Sequence, residues 1–170
     1  MNRFRRRGEP ASPAIGPVAG PEVTDKPLTE APHPKSFNSQ VAFRVYALTG
    51  REGQYVGETP SRSPLTIPPC RWWFVVPLRP VDMGAVRRKV EAHRIPGLAL
   101  HATDADLEHL KGLNWLEYLD FTNTQVTDAG LEYLKPLKAL KRLSLWGDTQ
   151  VTDAGVEKLK KSLPNLQVRR

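Results

Sequence analysis

A single cysteine in 170 residues leaves this chain without the material for an internal disulfide framework. Cys70 therefore fits a reducing, cytoplasmic setting. Long apolar runs are missing as well. The most hydrophobic stretch, from Leu65 to Leu78, is 14 residues long and holds three prolines and an arginine. A membrane helix needs roughly 20 apolar residues, so no membrane partner is expected. The opening residues MNRFRRRGEP supply a basic start, but the apolar core of a secretory signal does not come after them. Glycine-rich phosphate loops, paired cysteine motifs and carboxylate pairs in a recognisable setting are all absent, which points away from an enzyme and from any cofactor.

Proline is plentiful where large apolar side chains are scarce. Residues 1–40 contain seven prolines and few residues able to form a core. Such an arm cannot offset its ordering entropy by burial and is expected to be disordered. Residues 41–80 differ: Val41 to Leu48 and Arg71 to Leu78 are rich in β-branched and aromatic residues, and glycines and prolines punctuate the stretch between them. This predicts a small β module of two to four strands. Trp72, Trp73 and Phe74 are read as its core, or as its seam with the C-terminal half of the chain.

Residues 81–170 repeat themselves. VTDAGL begins at Val126 and VTDAGV at Val151, with a degraded copy, ATDADL, at Ala102, so the spacings are 24 and 25 residues. Between the hexapeptides an LxxLxL pattern recurs: Ile95, Leu98, Leu100; Leu116, Leu119, Phe121; Leu140, Leu143, Leu145; Leu163, Leu166, Val168. The closing pair of each triplet has strand period and the hexapeptide has helical spacing, so each unit predicts one short strand and one helix. Thr127 and Thr152 suit N-caps, and Asp128 and Asp153 place negative charge in a first helical turn. Gly130 and Gly155 are expected to permit close approach of the adjoining unit, with Asp106 marking an atypical first copy. Pro136 and Pro164 close the helices. Met83, Val86 and Val90 share one face of a capping helix expected over 82–94.

The run TNTQVTDAGLEYL, together with the LxL triplets, resembles leucine-rich repeats, in particular the ribonuclease-inhibitor-like subtype abundant in planctomycete and other bacterial proteins. The resemblance implies an α/β fold: a short solenoid of about four strand-helix units with a parallel sheet, preceded by the β module and the arm. It also implies a concave sheet face that binds a protein partner.

That face is set by the register. The leucines of each LxL point inward, so the intervening positions point out: Gly97, Ala99, His101; Tyr118, Asp120, Thr122; Arg142, Ser144, Trp146; Asn165, Gln167, Arg169. Partner-binding residues are expected to be Tyr118, Asp120, Arg142, Ser144, Trp146, His101 and Gln167, with Tyr118, Arg142 and Trp146 as the exposed centre, because tyrosine, arginine and tryptophan dominate interface hot spots. Catalytic readings are weaker. Ser144, Asp120 and His101 sit on neighbouring strands because stacked units put equivalent positions side by side, which needs no nucleophile to explain it. His101, Asp104 and His109 divide between a strand end and a helix, so no metal site is expected.

The formal charge of +7 is diffuse: 6 Lys and Arg against 4 Asp and Glu over residues 1–40, 5 against 2 over 41–80, and 14 against 12 over 81–170. Clusters at Arg3, Arg5, Arg6, Arg7 and at Lys158, Lys160, Lys161, Arg169, Arg170 suit non-specific phosphate contact, yet charged termini are ordinarily solubilising ends. Nucleic acid thus ranks below an unidentified protein as partner. The further alternative is a decayed fragment of a larger repeat protein. No feature fixes the oligomeric state.

Overall fold

The computed structural model describes residues 36–48, 53–70, 72–78, 82–147 and 150–170. The LxL triplets form strands β6 (Gly97–Ala99), β7 (Tyr118–Asp120), β8 (Arg142–Ser144) and β9 (Gln167–Arg169), after strands β1 (Ser36–Phe37), β2 (Phe43–Leu48), β3 (Gly53–Thr59), β4 (Leu65–Thr66) and β5 (Trp72–Pro77). Helix α1 (Met83–Ala92) precedes β6, and α2 (Asp104–Leu107), α3 (Asp128–Leu131) and α4 (Asp153–Ser162) lie in the three hexapeptide copies. β1 and β4 make a two-stranded antiparallel pair. The other strands form a seven-stranded sheet in the order β3-β2-β5-β6-β7-β8-β9. The fold is thus α/β, with a parallel sheet from β5 to β9 and antiparallel strands at the other end.

All the helices pack on one face of this sheet. Val45, Trp73, Val75, Leu98, Leu119 and Leu143 join Val86, Val90, Leu107, Leu131 and Leu159 in one buried cluster. Of the LxxLxL positions only Val168 is less than fully buried, as the last strand has no described neighbour beyond it. α1 covers the other end of the helical layer: Asp82 caps it by accepting from the Ala85 N–H at 3.0 Å, and Arg87 donates to the carbonyls of His109 and Lys111 at 2.6 Å each.

The arm expected over 1–40 lies outside the described residues as far as 35, but residues 36–40 belong to the fold. Phe37 is 1% exposed and sits 5.3 Å from the Trp73 ring and 5.1 Å from His93. A single phenylalanine at the end of a proline-rich stretch carries no periodicity, so composition hides it. The helices of the repeats are also shorter than the pattern suggests. α2 and α3 are four residues each, continued by one 3-10 turn at Glu108–Leu110 and at Glu132–Leu134. α4 reaches ten residues. Pro164 stands 11 positions after Asp153 and closes α4, which ends at Ser162. Gly112, at φ +83°, turns the chain after the first copy.

The hexapeptide couples one unit to the next. The Asp104 carboxylate accepts from the Thr127 backbone N–H at 2.8 Å and from its hydroxyl at 2.6 Å. Asp128 holds Thr152 in the same way, at 2.8 and 2.6 Å. Thr127 and Thr152 cap their own helices as expected, through Ala129 and Gly155. The aspartates, expected to serve their own first turn, also clasp the next unit along. Asp153 meets the Arg170 guanidinium instead. Gly130 and Gly155 leave room for this clasp, since a Cβ there would stand 2.2 Å from Asp104 Oδ1 and 2.0 Å from Asp128 Oδ1. The first copy has no unit before it that carries an aspartate, so Asp106 is tolerated and accepts from the Thr103 N–H and hydroxyl at 2.8 and 2.9 Å.

The clasp has a pH signature. Hydrogen bonds from the Thr152 hydroxyl and N–H hold the Asp128 carboxyl below its ordinary range. A carboxyl lowered on folding stabilises the fold above its unfolded pKa and loses that contribution as pH falls through the folded value. Thermal stability is therefore expected to drop as the pH is lowered below about 4, and Asp128→Asn to flatten that part of the profile. Melting curves of both proteins between neutral and strongly acidic pH test this; parallel profiles would count against it.

Candidate functional site

The sheet face opposite the helices collects the alternate residues of every strand. Ladder register places Tyr55, Tyr46, Phe74, Gly97, Tyr118, Arg142 and Gln167 in one row across seven strands, and Glu58, Arg44, Val76, Ala99, Asp120, Ser144 and Arg169 in the next. The concave positions anticipated for the repeats thus continue without a break onto the antiparallel strands.

Aromatic rings dominate the first row. Tyr55 meets Tyr46 at 5.6 Å between centroids, Tyr46 stacks on Phe74 at 5.1 Å, and Phe74 meets Tyr118 at 5.1 Å. Gly97 makes the last contact possible: a Cβ at that position would lie 2.7 Å from the Phe74 Cβ and 3.2 Å from Tyr118 Cδ1. Leu48, Trp72, Phe74 and Tyr118 form a second buried cluster on this face. Trp72 donates to Glu117 at 2.7 Å, Lys141 pairs with the same carboxylate at 2.8 Å, and the Arg142 guanidinium lies 5.0 Å from the Trp72 ring centre. The aromatic run is accordingly the seam between the two sets of strands.

This seam corrects the expected binding centre. Tyr118 is 7% exposed, not open to a partner. Its ring faces Phe74, a neighbour that no repeat pattern reveals. Burial and the adjacent Asp120 push its phenol far above the ordinary range, so the hydroxyl keeps its proton and donates to Asp120 Oδ2 at 2.9 Å. The other Asp120 oxygen accepts the Thr122 N–H at 2.9 Å. Ser144 is 6% exposed, its hydroxyl 3.5 Å from that of Thr122. Arg142 is half-buried. His101 is exposed beyond the end of β6, with Nδ1 3.4 Å from the Asn123 carbonyl oxygen, and Gln167 is exposed on β9.

Trp146 fulfils its expectation of exposure. It comes after β8, on the same face as Ser144, and is 52% exposed; with Tyr55 at 54% it makes up the exposed large apolar side chains among the described residues. Register brings Asp120, Ser144 and Arg169 side by side, with Trp146 next along the chain from Ser144. Arg169, absent from the expected binding set, is half-buried, and both primary nitrogens of its guanidinium are shielded from water without meeting an acceptor. Its place at an outward register position marked it in the sequence. The lack of a partner among the described carboxylates did not.

Asp120 and Ser144 share Thr122 as a neighbour, while His101 lies against the Asn123 carbonyl beyond the strand end, so no hydrogen bond links the three into a nucleophile, base and orienter. Asp104 is committed to Thr127, away from the imagined histidine set. Among the described residues no group of three or more His, Cys, Asp or Glu side chains is placed to hold a metal ion, and no helix is long and apolar enough to cross a membrane. No protein-family model and no curated protein matches this chain.

Proposed function

We propose that residues 81–170 form a short leucine-rich-repeat solenoid, and that the protein is a non-enzymatic interaction module that binds a protein partner through the open face of its sheet, around Trp146. The observation that carries this reading is Trp146 itself, 52% exposed, two residues beyond the Ser144 that pairs with Arg169, on the face opposite the described helices. A solvated tryptophan with an arginine neighbour is the composition that interface centres favour. The second copy of the clasp, in the same register as the first, supports the repeat reading.

Tyr118 belongs to the interior, so its truncation would report on folding. Trp146→Ala is the cleaner probe. Captured from a bacterial lysate, a partner of the parent chain is expected to bind the Trp146→Ala chain about 30-fold more weakly or to be lost, with the melting temperature unchanged. Equal recovery by both chains would remove this face from the reading. Recovery of nucleic acid alone, lost as salt rises, would favour the basic termini.

A further inference from the structure

Arg169 deepens that reading by naming the chemistry of the partner. It lies on β9, the edge strand, opposite Ser144 in the ladder. No ion pair joins it to a described carboxylate. Other cations near this face are engaged: Arg44 with Glu58 at 2.9 Å, and Lys141 with Glu117 at 2.8 Å. Asp120, the one carboxylate in Arg169's row on the adjoining parallel strands, has both oxygens taken by the Tyr118 hydroxyl and the Thr122 N–H. A guanidinium whose primary nitrogens are withdrawn from water without an acceptor is held at a cost. The side chain sits on the last strand of the described sheet, and a planar fork of donors matches a carboxylate in bidentate geometry.

We propose that Arg169 receives the side-chain carboxylate of an aspartate or glutamate of the protein partner, with Trp146 as the apolar flank of the same contact. The inference rests on the reading of the open face as the binding surface. It commits to an acidic polypeptide, as Arg169 has no described carboxylate to pair with and the fork geometry favours a flat anion. Thr122, half-buried, with its hydroxyl 3.5 Å from that of buried Ser144, adds a polar neighbour able to donate to such a group.

The test is calorimetric titration of the full chain with amidated hexaglutamate, with amidated hexalysine and inorganic phosphate as comparison ligands. Hexaglutamate is expected to bind and hexalysine not to. Arg169→Gln should weaken hexaglutamate about ten-fold or more, Arg169→Lys should fall between because it keeps the charge and loses the fork, and Lys161→Gln, an exposed cation on α4, should leave affinity within about two-fold. Unchanged melting temperatures certify that each variant is folded. Absence of hexaglutamate binding, equal affinity of the Arg169→Gln and Lys161→Gln chains, or equally tight phosphate would each overturn the carboxylate assignment. If Trp146→Ala weakens hexaglutamate while Arg169→Gln does not, the carboxylate assignment alone fails and the face stands. If Trp146→Ala leaves both hexaglutamate and the captured partner untouched, the face reading fails too.

Discussion

Replacing Gly130 by alanine is expected to destabilise the protein by about 2–3 kcal/mol, although alanine is the better helix former by about 1 kcal/mol. Propensity and context oppose each other here, and distance decides. An added Cβ would stand 2.2 Å from Asp104 Oδ1 and 3.0 Å from Leu107 Cδ1. The carboxylate must then move, and it carries the hydrogen bonds to the Thr127 N–H and hydroxyl that join the first unit to the second. Bonds to a charged acceptor contribute about 1.5–3 kcal/mol each, so losing even part of the clasp outweighs the gain in propensity. The control is thermodynamic coupling. With Asp104→Ala already in place there is no carboxylate to displace, and adding Gly130→Ala should cost little or become favourable. Denaturant midpoints of the two single variants and the double variant settle the matter; a stabilised Gly130→Ala chain would sink the clasp as a structural device.

The same residues show what could be read from the sequence and what could not. The triplets from Ile95 to Val168 marked the inward face of four strands, because period-two burial is a property of the chain alone. Thr127 and Thr152 announced helix starts for a similar reason: an N-cap is a contact between residues two or three apart. The role of Asp104 and Asp128 in the next unit was hidden by its span of 23 and 24 residues. The repeated glycine was the trace it left, together with its loss at Asp106, where no earlier aspartate needs the space. Trp146 was legible as an exposed side chain because its strand ends before it. Tyr118 was not, because its burial depends on Phe74, which arrives from a strand whose pairing with β6 no periodicity encodes. Gly97 was the available signal: the smallest residue, at an outward position, where two rings from different strands close over it.

That seam predicts how the protein unfolds. Trp73→Ala is expected to cost about 3–5 kcal/mol, the range for removing a fully buried large aromatic side chain. The indole lies in the helix-side core beside Phe37, on a strand that hydrogen-bonds antiparallel to β2 and parallel to β6. On the opposite face, Trp72 and Phe74 of the same strand contact Glu117, Arg142 and Tyr118, which belong to the repeats. Loosening β5 therefore exposes apolar surface on both sides of the seam at once. The antiparallel strands and the repeats should melt together, with far-UV circular dichroism and total tryptophan emission giving one transition that Trp73→Ala shifts as a whole. Two independent units would behave differently: the substitution would lower a first transition and leave a second, from the repeats, where it was. Trp73→Phe separates volume from polarity. The Trp73 Nε1 hydrogen is buried and meets no acceptor, so phenylalanine loses no hydrogen bond and keeps most of the ring. It should cost far less than alanine, which assigns the loss in Trp73→Ala to packing at the junction of the two sets of strands.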